Sequence, residues 1–507
     1  MSSSGPSTRF ARSGTGAGRS GRRVRVAIIG SGFGGIGAAV KLTRRTNAEV
    51  TIFERADALG GTWRDNHYPG AAVDIASHAY SFSFVKWDWK RTHATQPELW
   101  EYTNAVVDRF RLRDRIRLST TVTAARWDDA TREYEVEFTR ADGTTGGERF
   151  DAVISAMGLL SNPRYPDWPG LADYEGISFH TSRWEHEHDL SDKRVAVVGT
   201  GSTAIQVMPA IAEYAGHVTL FQREPGWIEP KHERDFTPLE RWIYRHVPLA
   251  QRLHRYWLFA KANRRFRGYD KDSAMQRRMQ EICLNFINST VEDPATRAAL
   301  TPDYAWGCKR PIVATTYYAA FNRPNVELVP HAVVAATRTG LVDATGTERD
   351  FDVVVFSTGF QPQRMLAQLE VTGRGGLRLH DAWAERATAF LGTTVPGFPN
   401  FFILYGPNTN GGTSLIAQLE REAEIAVAAI RRLERGARTV ETSTAATEEY
   451  VEWIDRELAT AASAKNSGCH NYFTDERGHN ITEWPREHIV FWWITKAWRG
   501  RGLRYEH

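Results

Sequence analysis

Three features of this sequence predict an α/β chain made of two strand–turn–helix units, the second interrupted by helices. Gly30-Ser-Gly32-Phe-Gly-Gly35 follows the β-branched run Val24-Arg-Val-Ala-Ile-Ile29, and Gly199-Thr-Gly201-Ser202-Thr203-Ala204 follows Arg194-Val-Ala-Val-Val198. Residues 232–300 then lose the β pattern for long helical stretches rich in charge and aromatics. A glycine turn between a strand and a helix is the context that makes such a motif credible as a phosphate cradle, so both units read as Rossmann-like and dinucleotide-binding.

Bulk properties narrow the class. At 507 residues the chain is too long for one core, so two or three domains are expected. Lys and Arg number 64 against 60 Asp and Glu, a balance that gives no reason to expect a nucleic-acid partner. Cys283, Cys308 and Cys469 form no CxxC pair, which argues against a disulfide framework, a zinc knuckle or a dithiol centre. Reduced thiols in the cytoplasm, with no metal, are expected. No apolar run approaches the ~18 residues of a membrane span. Residues 1–23, rich in Ser, Gly and Arg, have almost nothing to bury and read as a disordered tail.

In the first unit, Gly30 permits the tight turn, Gly32 lets the backbone approach a pyrophosphate, and Gly35 lets helix and strand pack closely. The helix that follows offers free N–H groups and its positive dipole end. A second strand, Glu49-Val-Thr-Ile-Phe53, ends in Glu54, whose carboxylate can accept from ribose hydroxyls and would repel a 2′-phosphate. This site therefore favours FAD or NAD over NADP. Asp151-Ala-Val-Ile-Ser reads as a buried strand closing the first sheet, and the Pro-rich run after Ser161 as a domain crossing.

In the second unit Ala204 replaces the third glycine, an allowed variant. The strand His217-Val-Thr-Leu-Phe221 ends in Gln222-Arg223, where a guanidinium can pair with a 2′-phosphate and select NADPH. Helices are expected over 238–254 and 274–289, with their aromatics as core and their arginines solvated. The chain returns through Lys309-Arg310 to the strand Phe351–Phe356 and Thr358-Gly359. Leu404-Tyr-Gly406-Pro-Asn408 then opens a helix over 416–433. The expected domains are 24–160 with 375–507 for the first nucleotide, 161–231 with 301–374 for the second, and 232–300 as helical insertion.

Between the two units lies Tyr174-Glu-Gly176-Ile-Ser-Phe-His180-Thr-Ser-Arg-Trp184, and after the first lies Gly60-Gly61-Thr62-Trp63-Arg-Asp-Asn-His-Tyr68-Pro69-Gly70-Ala-Ala-Val-Asp74. These segments resemble the F-x-G-x-x-x-H-x-x-x-W fingerprint and the flavin-lining GGxW…[FY]PG…D motif of Baeyer–Villiger monooxygenases. The resemblance runs from about Val24 to Pro485. It implies FAD in the first site and NADPH in the second. Its implied reaction is insertion of one oxygen atom from O2 beside a ketone carbonyl through a C4a-peroxyflavin, giving an ester or lactone.

The resemblance also implies Arg310 as the active-site arginine with Asp74 as its partner, and Lys309 and Arg223 as 2′-phosphate ligands. Gly61, Thr62, Trp63 and Asn408 would line the flavin, and Thr358 and Gly359, in a segment like the ATG stretch of two-dinucleotide flavoproteins, would bind cofactor. Gly176, His180 and Trp184 would order the linker, His180 as a gating residue and not an acid or base. Trp184 favours ketones over the amines and thioethers of the alternative, an N- or S-oxygenating flavoprotein. Tyr174, Glu185 and Thr413 depart from the family pattern. Substrate identity and oligomeric state are not legible.

Overall fold

The structure is a computed structural model that describes residues 22–411, 414–464 and 471–507. The tail expected at 1–23 falls outside the described residues up to residue 21. So do Thr413 and Cys469.

Two five-stranded parallel sheets form the frame. The first comprises β1 (Arg25–Ile29), β2 (Glu49–Phe53), β3 (Ile116–Arg117), β4 (Ala152–Ser155) and β10 (Phe401–Ile403), in spatial order β10-β4-β1-β2-β3. The second comprises β5 (Ile177–His180), β6 (Arg194–Val198), β7 (His217–Phe221), β8 (Val326–Val329) and β9 (Val353–Phe356), in order β8-β7-β6-β9-β5. Val26, Ile28, Val195 and Val197 are wholly inaccessible. Strands covered on both faces read as continuous apolar runs, which is why these segments were legible.

Helix α1 (Phe33–Arg45) follows β1 and α2 (Ala204–Ile211) follows β6. Helix α6 (Leu415–Glu434), which spans the expected 416–433, packs along α1. On the opposite face lies a smaller sheet of Glu370–Thr372, Thr120–Asp128, Glu133–Arg140 and Thr145–Phe150. Phe53, Phe138, Phe150 and Phe401 share the core between the two sheets.

The pairing corrects one expectation. β4 does not close the first sheet; it lies inside it, between β1 and β10. The edge is supplied from some 250 residues away, a pairing that no local pattern reveals.

The α1–α6 contact holds a partly buried charge cluster. Glu424 on α6 accepts from Lys41 Nζ at 2.8 Å and from Arg45 Nη1 at 2.5 Å, both on α1. Burial raises its carboxyl pKa, but the hydrogen bond from Arg45 and the Lys41 and Arg45 charges outweigh that and hold it down at about 2. A carboxylate depressed in the folded state stabilises fully above its unfolded pKa and loses that contribution as pH falls toward the folded value. Glu424→Gln should therefore lower the melting temperature at neutral pH by the equivalent of roughly 3 kcal/mol. The gap to wild type should shrink between about pH 4.5 and about pH 2; a gap independent of pH would refute it.

The inserted region is helical as expected but differs in two respects. The helix expected over 238–254 is broken into α3 (Pro238–His246) and α4 (Ala250–Phe266), because Pro248 cannot extend a helix and Leu249 sits at φ 64°. Helix α5 (Ala274–Thr290) follows. The burial departs in part as well: Phe266 is buried and most arginines are exposed as expected, but Trp242, Tyr256 and Trp257 are exposed and Arg255 is buried. Its guanidinium donates to the carbonyls of His78, Ala79 and Ser81 at 3.0, 3.2 and 2.5 Å, which satisfies the charge. A further correction concerns the thiols. Cys283 is buried and free, but Cys308 is disulfide-bonded, a contact that sequence spacing does not disclose.

Candidate active site

The register of the first sheet sets the first cradle. Ile29 pairs with Phe53, so Gly30 and Glu54 emerge together at the carboxyl end of the sheet. Gly30 has φ +105°, and a Cβ there would lie 2.5 Å from the Ala156 carbonyl oxygen. A Cβ on Gly35 would lie 1.9 Å from the Gly30 carbonyl oxygen. Gly32 is different: its Cβ would meet only the Gly61 Cα, at 3.6 Å. Gly61, at φ +54°, faces it with equally bare backbone. Two glycines thus do packing work, and two leave a slot that side chains would fill.

Glu54 is buried and held: Oε2 accepts from Ser31 N at 2.9 Å and Ser31 Oγ at 2.6 Å, and Oε1 from Ala56 N at 3.0 Å. No side chain caps the α1 N-terminus, and no acidic residue lies in its first turn. Uncapped N–H groups beside an oriented carboxylate suit the pyrophosphate and ribose of FAD. Thr62 opens a short helical turn, Thr62–Asp65, that carries the buried Trp63. The Trp63 indole donates to Tyr80 Oη at 3.1 Å.

The second cradle repeats this logic. Gly199 sits at φ +119°, and its Cβ would lie 2.4 Å from the Ser357 carbonyl oxygen, while a Cβ on Gly201 would meet open space. Ala204 is fully buried, so the third position tolerates a methyl here. Ser202 and Thr203 lead into α2, whose N-cap Thr203 makes no side-chain cap bond.

Val198 pairs with Phe221, so Gln222, not Arg223, occupies the register of Glu54. Gln222 is buried and donates to the Ala299 carbonyl at 2.7 Å. Arg223 follows, exposed. Lys309 lies over the Tyr304 ring at 4.6 Å and forms an ion pair with Glu224, the neighbour of Arg223. The cationic groups expected at this site therefore share it with a carboxylate.

Arg310 and Asp74 meet as expected: Nη2 donates to Asp74 Oδ2 at 2.5 Å. The pair joins the loop after the first cradle to the chain leaving the helical insertion, 236 residues apart. The Asp74 charge, against the opposing effect of burial, drives the Arg310 pKa up, so the guanidinium is permanently charged. Tyr472, Tyr405 and Tyr269 lie close enough to act on its charge, and Tyr269 lines the same cavity. Motif spacing gave no sign of these three tyrosines. Tyr405, at φ 64°, donates to Asn410 Oδ1 at 3.0 Å.

The pair borders a cavity of about 490 Å³ that runs toward α4. Trp306, Phe473 and Trp484 line it, as does an ion pair of the buried Glu229 with the partly exposed Arg265. His93 also faces it; burial lowers its pKa to about 4 and keeps the imidazole neutral.

The linker residues have structural partners. A Cβ on Gly176 would lie 2.2 Å from Tyr174 Oη, so the tyrosine ring requires the glycine. Tyr174 Oη donates to the Phe351 carbonyl at 2.9 Å. His180 is wholly inaccessible. Burial lowers its pKa to about 4, opposed by its hydrogen bond to Gly359. Its Nδ1 accepts from Ser182 N at 3.1 Å, which places the proton on Nε2 for donation to the Gly359 carbonyl at 3.1 Å. A neutral histidine thereby ties the linker to the turn after β9. Trp184 packs edge-on against Phe179 at 4.9 Å, and Glu185 pairs with His188 at 2.8 Å.

Three expected cofactor-binding residues serve other contacts. Asn408 is buried at φ 56° and donates to the carbonyls of Asn480 and Glu483 at 2.9 and 3.1 Å, pinning the C-terminal segment. Thr358 donates to the Arg164 carbonyl, and Gly359, at φ +79°, accepts from Arg164 N at 2.9 Å. The sequence reading missed Gln206 on α2, which accepts from Tyr68 Oη at 3.0 Å and donates to the Ala72 carbonyl at 2.9 Å. It clamps the Tyr68–Asp74 loop to the second unit, and a lone polar residue in a helix gives no such signal.

Comparison with known proteins is consistent across sequence and structure. Residues 23–364 match the family described as flavin-binding monooxygenase-like. A Baeyer–Villiger monooxygenase of Streptomyces coelicolor is 38% identical over 466 residues, covering 91% of this chain and 89% of that one. One from Pseudomonas aeruginosa is 36% identical, covering 92% and 88%. An oxidized steroid monooxygenase bound to NADP superposes with a TM-score of 0.85 at 29% identity, covering 96% of this chain and all of the other. A closed crystal structure of cyclohexanone monooxygenase gives 0.83 at 30% identity, covering 96% and 99%.

Proposed function

The chain belongs to the flavin-binding monooxygenase-like family, within its Baeyer–Villiger branch, and from that premise we propose how its residues divide the work. It is an FAD-containing, NADPH-consuming monooxygenase that inserts one oxygen atom of O2 next to a ketone carbonyl. Ketone, O2, NADPH and a proton become ester or lactone, NADP⁺ and water. We assign 24–160 with 375–507 to the FAD domain, 161–231 with 301–374 to the NADPH domain, and 232–300 to the insertion. The cytoplasm, where NADPH is supplied, is the proposed location. Among the described residues no helix is long and apolar enough to cross a membrane.

The observation that carries the assignment is the Arg310–Asp74 pair beside the cavity. The Gly32–Gly61 slot and Glu54 would hold FAD, which when bound would supply the activated oxygen. Arg310 supplies positive charge where negative charge develops on the carbonyl oxygen, and a guanidinium does so without giving up a proton. Asp74 fixes its orientation. Trp306, Phe473 and Trp484 give the cavity an apolar wall for the substrate beside its charged groups. Product analysis with FAD-loaded protein, NADPH, O2 and cyclic, aryl and linear ketones tests this. Ester or lactone is expected; sulfoxide from a thioether, with no ester from any ketone, would overturn it.

Glu224 carries a separate prediction. Its carboxylate neutralises Lys309 and would sit beside a 2′-phosphate, which it repels. Glu224→Thr should tighten NADP⁺ about tenfold, near 1.4 kcal/mol, and leave NAD⁺ unchanged by calorimetry. Equal effects on both would place the 2′-phosphate elsewhere.

A further inference from the structure

The α3–α4 hairpin is anchored on one side, through Arg241 and Arg245 on Asp88 and through Arg255, and leaves an apolar face that no described residue covers. Leu239, Trp242, Leu249, Leu253, Tyr256 and Trp257 are between 53% and 66% exposed. Leu249, Leu253, Tyr256 and Trp257 recur at i, i+4, i+7 and i+8 and so form one stripe along α4. Helix α7 (His488–Ala497), tied to α4 by His488 N donating to Asn263 Oδ1 at 3.1 Å, adds the exposed Ile489 and Trp493. Apolar exposure on this scale marks an interaction surface.

Charge indicates what covers it. Helix α4 carries Arg252, Arg255, Lys261, Arg264 and Arg265 and no acidic residue. Arg255 is buried and Arg265 is paired with Glu229, which leaves Arg252, Lys261 and Arg264 toward solvent. Lys261 lies over the Trp257 ring at 5.6 Å and Arg252 over the Tyr256 ring at 5.5 Å, so cations border the aromatics of the stripe. A two-fold contact between copies would set α4 against itself, like charge on like charge. Trp and Tyr beside Lys and Arg suit instead the interface of a bilayer with anionic headgroups. The stripe also adjoins the cavity, because Trp257 lines that space while remaining 57% exposed.

We propose that the α3–α4 hairpin docks this protein peripherally on an anionic lipid surface, with the mouth of the cavity turned toward it. Lipophilic ketones dissolved in the bilayer then reach the site without crossing water. The docking stands independently of the proposed chemistry, because its deciding readout is vesicle binding.

FAD-loaded protein should cosediment with vesicles of mixed phosphatidylglycerol and phosphatidylcholine, and added salt should weaken the binding. Trp242→Ser with Leu253→Ser should reduce partitioning by about tenfold or more. Neither residue lines the cavity, so the double variant should keep its circular dichroism, its bound flavin and its turnover of a water-soluble ketone. No cosedimentation, equal binding to pure phosphatidylcholine, or a double variant that binds like wild type would each overturn the proposal. A wild-type dimer that ignores vesicles and dissociates in the double variant would assign the face to a second copy.

Discussion

Replacing Arg310 with alanine should lower ester formation by roughly a thousandfold, the scale seen when a preorganised charge donor to a developing oxyanion is removed. The fold should survive, since the Arg310 side chain is 39% accessible and lines a cavity, not a packed core. NADPH should still be oxidised, with the electrons passing to hydrogen peroxide, because the two nucleotide cradles do not depend on Arg310. Arg310→Lys should restore little: an ammonium keeps a positive charge but lacks the planar fork that engages Asp74 while facing a substrate. Asp74→Asn should cost less than Arg310→Ala, since it frees the guanidinium without removing the charge. The checks are ester yield per NADPH and peroxide per NADPH. An Arg310→Ala enzyme with wild-type ester yield would remove Arg310 from the reaction centre.

Gly35→Ala should be as damaging by another route. The added carbon would lie 1.9 Å from the Gly30 carbonyl oxygen, a backbone atom at the turn itself. Helix α1 would have to move off β1, at about 3 kcal/mol or more and a fall of on the order of 10 °C in melting temperature. Flavin should be lost with it, since the α1 N-terminus and the Gly32–Gly61 slot move together. Gly201→Ala is the contrast. Its Cβ meets open space, so the apoprotein should melt as wild type while NADP⁺ binding weakens. Thermal unfolding and flavin retention separate the two cases; a Gly35→Ala protein that keeps both would show that the turn can relax.

Both glycine motifs were legible because their demands are local. A strand, a turn needing φ above zero and a helix N-terminus occupy about a dozen consecutive residues, and the buried strands announce themselves as apolar runs. Glu54 was legible for the same reason, standing one residue beyond a recognisable strand. Arg310 and Asp74 were paired only through family resemblance; nothing in their spacing joins residues so far apart. Arg223 shows the limit of counting along strands, since the sheet register places Gln222, not Arg223, opposite the turn.

The sequence by itself determined the α/β class, the two phosphate cradles and the helical character of the insertion, because each follows from short-range sterics and periodicity. Tertiary structure decided what periodicity does not encode: which face of a helix is covered and which distant side chains share a charge. Arg255 is buried because three carbonyls of another segment converge on it, while Trp242 and Trp257 are exposed because no described element packs over them. Asn408 is committed to the C-terminal segment, Gln206 clamps the Tyr68–Asp74 loop, and Glu224 holds Lys309. Each depends on a partner supplied by long-range packing, and a linear pattern carries no record of that partner.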